Sequence, residues 1–183
     1  MRLFRSFRDD RALQRGSASY VAALMTEPEP ADVEWLSAAA TRGDTDHATW
    51  ELRYVRRAIG ILVAQRDALD DRTPSEVLRS MLARMERDPN VDGELRELAE
   101  RQFNARLSAY RDAFTSRGLG TPAIRVAQNL LAFAGGPIRA DDPVVVHGTS
   151  VGTAYLAAAT EALRAAFGTA QLPDDVPPSQ MVR

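Results

Sequence analysis

Between Asp44 and Arg72 the positions Leu52, Val55, Ile59, Leu62, Arg66 and Leu69 recur at spacings of 3, 4, 3, 4 and 3, and five of the six are apolar. This is the period of one helix face, with a seam like that of a coiled coil. From Ile59 to Ala64 apolar residues also occupy the other faces, so the pattern predicts a central helix over about residues 44–72, buried on more than one side at its middle. Ile59 and Leu62 are expected in the core. Arg53, Arg56 and Arg57 form a basic face expected to be solvated, where Arg57→Ala should cost within ~0.5 kcal/mol.

The same pattern extends along the chain. Pro30 opens a short helix with Val33, Leu36 and Ala40 on one face, closed by Gly43. Thr73-Pro74-Ser75-Glu76 sets a hydroxyl before proline with a glutamate three residues on, which predicts the start of a helix burying Val77, Leu78, Met81, Leu82 and Met85 and ending before Asp88-Pro89. A third long helix is expected from about Val91 to Arg117, stopped by Gly118, with Leu95, Leu98, Phe103, Leu107, Tyr110 and Phe114 facing inward. Thr121-Pro122 opens a shorter helix through Leu130 and Leu131. Asp142-Pro143 opens the last, which reaches Phe167; the β-branched Val144-Val145-Val146 leaves a short extended piece before Ser150 as the alternative to a continuous helix.

Both ends differ from this middle. Residues 1–15 carry five arginines against two aspartates, with Leu3, Phe4 and Phe7 on one side, a basic amphipathic arm that Gly16 is expected to interrupt. The arm is read as a docking segment, with peripheral membrane contact as its alternative. Pro173, Pro177 and Pro178 make residues 171–183 an expected extended or disordered tail. Residues 16–170 are then one domain. Every element is helical and joined by short connections, so the fold class is all-α, an antiparallel helical bundle of about five to seven helices.

Composition narrows the chemistry. A chain of 183 residues can bury a core without staples. Cysteine is absent, which eliminates disulfides, thiolate metal sites and cysteine nucleophiles. All 23 basic residues are arginine, so Schiff-base and phosphate-loop lysines are excluded as well, and the bias fits a GC-rich bacterial genome. A net charge of −2 argues against nucleic-acid binding. No run of 18 apolar residues and no signal-peptide pattern occur, so a cytoplasmic protein without a transmembrane segment is expected.

Three sets of residues could carry function. Gln102 and Arg106 project from the inward arc of the third helix and Arg66 holds a seam position; a buried guanidinium requires a carboxylate, for which Glu51, Asp67 or Asp70 are candidates. With Tyr54, these residues read either as a core salt bridge or as a pocket for an acidic ligand: Glu51, Tyr54, Arg66, Gln102 and Arg106. His47 and Glu51 lie four apart on one helix face, and His147, with Glu94 and Glu97, would join them if the long helices alternate in direction. That set would hold a divalent metal; no other cofactor is expected, and no Glu-x-x-His motif occurs. Asp67, Asp70 and Asp71 crowd one helix end, where Arg66 is expected to reach Asp70. The leading expectation is a non-catalytic module for protein–protein interaction or self-association, a homodimer or other homo-oligomer being its commonest form. An acidic-ligand bundle is the second, and a metal enzyme using His47, Glu51 and His147 the third.

Overall fold

The computed structural model describes residues 2–116 and 120–169, with side chains from Asp9 onward. Among them are seven α-helices, one 3-10 turn and no strand: α1 (Arg2–Leu24), α2 (Pro30–Ala39), α3 (Thr45–Asp67), α4 (Arg72–Glu86), the turn Gly93–Leu95, α5 (Arg96–Thr115), α6 (Pro122–Ala134) and α7 (Pro143–Phe167). The protein is an all-α bundle whose axis is α3, which packs against each of the other six α-helices. Its burial follows the pattern that predicted it. Leu52, Val55, Ile59 and Leu62 are all buried, as are Gly60, Ile61, Val63 and Ala64 on the remaining faces. The seam ends early: the helix stops at Asp67 and Leu69 is exposed.

Two local signals are resolved differently from expectation. Gly16 does not interrupt the N-terminal helix. A Cβ there would lie 2.6 Å from Cε1 of Phe167, so glycine admits α1 against the end of α7. A second close approach joins α1 to α3, where a methyl on Gly60 would overlap Leu24 and the Tyr20 hydroxyl donates to the Gly60 carbonyl at 2.8 Å. The start of α4 is held by Asp70 rather than by Thr73: the Asp70 carboxylate accepts from the Arg72 amide (2.8 Å), the Thr73 amide (2.7 Å) and the Thr73 hydroxyl (3.1 Å). The Thr73 amide foremost holds the Asp70 carboxyl below the usual carboxylate range. The aspartate that seemed misplaced at the end of one helix thus serves the beginning of the next.

The Val144-Val145-Val146 run lies inside α7, because Asp142 accepts from the Val144 amide (2.8 Å) and Pro143 occupies the first turn. The inward reading holds for Phe103, Leu107 and Tyr110 of α5, which are buried, and fails for Leu98 in its first turn and for Leu95 in the 3-10 turn before it, which are 42% and 56% exposed. The first turns of α5 border an open recess, so periodicity there points at a cleft. The apolar side chains of the arm, the Gly118 stop and the 171–183 tail lie outside what the structure describes. Among the described residues no helix is long and apolar enough to cross a membrane.

Candidate binding site

Two ion pairs, each with a buried partner on α3, leave it in different directions. The first joins it to α5. Glu51, 1% exposed, receives the side-on fork of Arg106: Nε donates to Oε2 at 2.8 Å and Nη2 donates to Oε1. The remaining Nη1 donates to the Gln102 carbonyl at 3.1 Å. The guanidinium lies 4.6 Å from the ring centre of Phe133 and 5.0 Å from that of Tyr54, a cation against two aromatic faces. Burial alone would lower the Arg106 pKa, but the hydrogen bond and charge of Glu51 outweigh it and raise it. Nearby, the Tyr110 hydroxyl is buried without a partner among the described residues, and burial foremost pushes its pKa well up, with the Glu51 charge adding to the shift.

The second pair joins α3 to the connector between α4 and α5. Arg57 donates from Nη2 to Asp88 Oδ2 at 3.1 Å, and both side chains are 4% exposed. Asp88 Oδ1 accepts from the Asn90 amide (3.1 Å) and the Asn90 side chain (3.0 Å). The Nε of Arg57 is buried and has no hydrogen-bond partner among the described residues. Burial foremost lowers the Arg57 pKa, against the opposing pull of Asp88. The expected solvated position of Arg57 is therefore corrected: the apolar residues that surround the α3 axis enclose it too.

Trp50, Tyr54 and Arg57 stand at i, i+4 and i+7 on α3 and share one face. They form the floor of a cleft of about 320 Å³, walled by Leu82 and Met85 of α4 and by Val91 and Ala99. A recess of about 160 Å³ shares Trp50 and Tyr54 with it and extends to Leu95, Leu98 and Gln102. The Trp50 and Tyr54 rings lie 5.6 Å apart, and the Arg53 guanidinium, which pairs with Glu27 at 2.7 Å, sits 4.6 Å from the Trp50 ring centre. At the rim, Arg96 forms no ion pair among the described residues, and neither do Glu86 and Glu100.

The residues singled out in the sequence divide accordingly. Glu51, Tyr54, Gln102 and Arg106 come together, with the Tyr54 hydroxyl donating to Gln102 Oε1 at 3.4 Å. Arg66 does not join them. It is half exposed, donates to the adjacent Asp67 at 2.6 and 2.7 Å and not to Asp70, and borders a separate cavity of about 490 Å³ at the ends of α3 and α7. The charged groups there are spent on neighbours, Arg66 on Asp67 and Arg164 on Glu161, so the larger cavity offers less chemistry than the smaller cleft. His47 Nε2 reaches Glu51 Oε1 at 3.4 Å, while His147 is exposed and stacks on Trp35, 4.6 Å between ring centres. Among the described residues no three His, Asp or Glu side chains are grouped to hold a metal ion, and Glu94 and Glu97 are exposed. Sequence reasoning missed Arg57, Asp88 and Trp50. The signal for Arg57 lay in its place within the apolar middle of α3; Asp88-Pro89 was readable only as a helix stop.

Comparison with protein-family models, with curated proteins and with solved structures gives no match for this chain.

Proposed function

We propose that the protein is a non-catalytic, cytoplasmic helical binding module whose cleft between α3, α4 and α5 holds a small, partly apolar acidic molecule. One observation carries the reading: Arg57, a buried residue that lines an aromatic cleft, keeps a hydrogen-bond donor without an acceptor among the described residues. Buried donors are nearly always satisfied, and specific small-molecule sites combine an apolar lining with a few such polar groups. The test is native mass spectrometry of untagged protein together with a thermal-shift screen of organic acids. The expected outcome is a co-purifying acid or a class of acids that raises Tm. Replacing Trp35 by Phe leaves Trp50 as the only tryptophan, and its emission should change with the same acids. If no acid moves Tm or the Trp50 signal, the reading fails.

A second reading, self-association, is favoured by Leu82, Leu95 and Leu98, which are 39%, 56% and 42% exposed and border the same cleft and its recess. Light scattering across a wide concentration range decides it. A mass of two or more chains that falls to one in Leu95→Ser/Leu98→Ser supports it, and a monomer throughout overturns it.

A further inference from the structure

We propose that the exposed apolar surface beside the α3–α4–α5 cleft is covered by residues 2–9 of α1 from a second copy of the chain, each copy giving its arm and receiving the other's. The inference rests on the self-association reading and names the two parts that meet; an arm seated there would close the cleft to a small acid.

Charge selects this occupant. The cleft and its recess are lined by three carboxylates, Glu86, Asp92 and Glu100, against the guanidinium of Arg96, the charge of Arg57 being met by Asp88. None of these three carboxylates, nor Arg96, forms an ion pair among the described residues. Exposed Glu94 adds to the negative side, Glu97 is paired with Arg101 at 3.7 Å, and Arg84 and Arg87 line a different cavity. Among these charges Leu82, Leu95 and Leu98 are exposed. The surface thus calls for a partner that is basic and apolar at once. Residues 1–15 have that chemistry, with five arginines against two aspartates and with Leu3, Phe4 and Phe7 at the spacing of one helix face. A short amphipathic helix laid into an apolar groove is an established mode of recognition.

The fold requires that the arm come from another molecule. Asp10 pairs with Arg72, the first residue of α4, and ten positions later Tyr20 meets Gly60, seven positions before the end of α3. α1 therefore runs antiparallel to α3, and residues 2–9 continue the same helix outward past the α3–α4 connector, for ~12 Å at the helical rise. The cleft lies the other way. Leu82 and Glu86 line it near the far end of α4, ~15 Å or more from Arg72, and Trp50 and Tyr54 line it near the start of α3. A continuous α1 leads the arm away from the cleft of its own chain. Two antiparallel copies related by a two-fold axis bring each arm to the other's cleft and close the assembly at two.

The experiment is sedimentation and light scattering of the full chain over a wide concentration range, with two charge-reversed variants. The wild type is expected to reach the mass of two chains, with a dissociation constant that rises with salt. Arg5→Glu/Arg8→Glu sets a negative arm against a negative cleft, and Glu86→Arg/Glu100→Arg a positive arm against a positive cleft; each alone should weaken the dimer at least roughly tenfold. Glu86 and Glu100 are exposed, so the second variant keeps the fold, which an unchanged Tm verifies. An equimolar mixture of the two variants restores opposite charges at both contacts and should dimerise as the wild type does. A wild-type dimer that either variant retains at full strength, or a mixture that stays monomeric, overturns the arm as the occupant and leaves self-association standing. A wild type that is monomeric throughout overturns both.

Discussion

The Glu51–Arg106 and Arg57–Asp88 pairs both anchor on a buried side chain of α3 and both tie it to a neighbouring segment, but they are completed to different degrees. In the first, two fork bonds, a backbone carbonyl and two aromatic rings meet the guanidinium. In the second, one hydrogen bond is made, a single aromatic ring, Trp50, lies 5.9 Å from the guanidinium, and Nε is left without an acceptor among the described residues. Desolvating an ion pair is offset only when its remaining hydrogen-bonding groups are also satisfied. The completed pair therefore acts as a cross-brace between α3 and α5. The incomplete one borders the cleft between α3, α4 and α5.

The largest effect expected from breaking this contrast is Glu51→Ala. It strands the Arg106 charge between Phe133 and Tyr54, and removing one partner of a buried pair costs about 3 to 5 kcal/mol. Urea unfolding measures it. A loss under about 1 kcal/mol would show that Arg106 re-solvates and that the brace is no stronger than a surface pair.

Arg57→Ala comes next, at about 3 kcal/mol, because Asp88 keeps both Asn90 bonds when the guanidinium leaves. This replaces the ~0.5 kcal/mol expected of a solvated arginine. Arg57→Met/Asp88→Asn should cost less than Arg57→Ala, within about 1.5 kcal/mol, since no isolated charge remains. Equal losses in the single and double variants would mean that packing of the arginine stem, not its charge, is what stabilises the site.

The contrast also separates what sequence can show from what it cannot. The seam Leu52, Val55, Ile59, Leu62 was legible because periodic burial of apolar groups is a local signal repeated every turn. Glu51 as the acceptor for Arg106 could be narrowed to three carboxylates, since a buried guanidinium has few ways to be satisfied. Arg57 looked like its neighbours Arg53 and Arg56 because a row of arginines has the same composition whether a turn of α4 covers one of them or not. Gly16 read as a break for a related reason: a helix interior tolerates glycine where another helix comes close, and the Phe167 ring that comes close lies far along the chain. Leu95 and Leu98 have the right period for a core and meet a cleft instead, because periodicity reports an apolar face and not what covers it.

Acidification sharpens the contrast more gently. Burial taken alone would raise the Asp88 carboxyl, but the Asn90 amide and the Arg57 charge and hydrogen bond prevail and hold it below the ordinary value. A carboxyl depressed in the folded state contributes stability that is present above its unfolded value, about 3.9, and is lost as pH falls through the folded one. The stability difference between wild type and Asp88→Asn should thus be level from about pH 5 to 7 and shrink below about pH 4. Urea midpoints across that range read it directly, and a difference that grows on acidification would reverse the sign of the Asp88 contribution.

The smallest effect belongs to the arginine that sequence placed at the seam. Arg66 stands fifteen positions from Glu51 on the same helix, is half exposed, and spends its fork on the adjacent Asp67. The hydrogen bond to Asp67, against slight desolvation, raises the Arg66 pKa, yet both groups remain in contact with water, where such pairs contribute little. Arg66→Ala is expected to change unfolding free energy by no more than ~0.5 kcal/mol, measured by urea unfolding. A loss approaching that of Arg57→Ala would mean that the end of α3 is held by charge as firmly as its middle, and the ranking of the arginines by burial and completed hydrogen bonds would not stand.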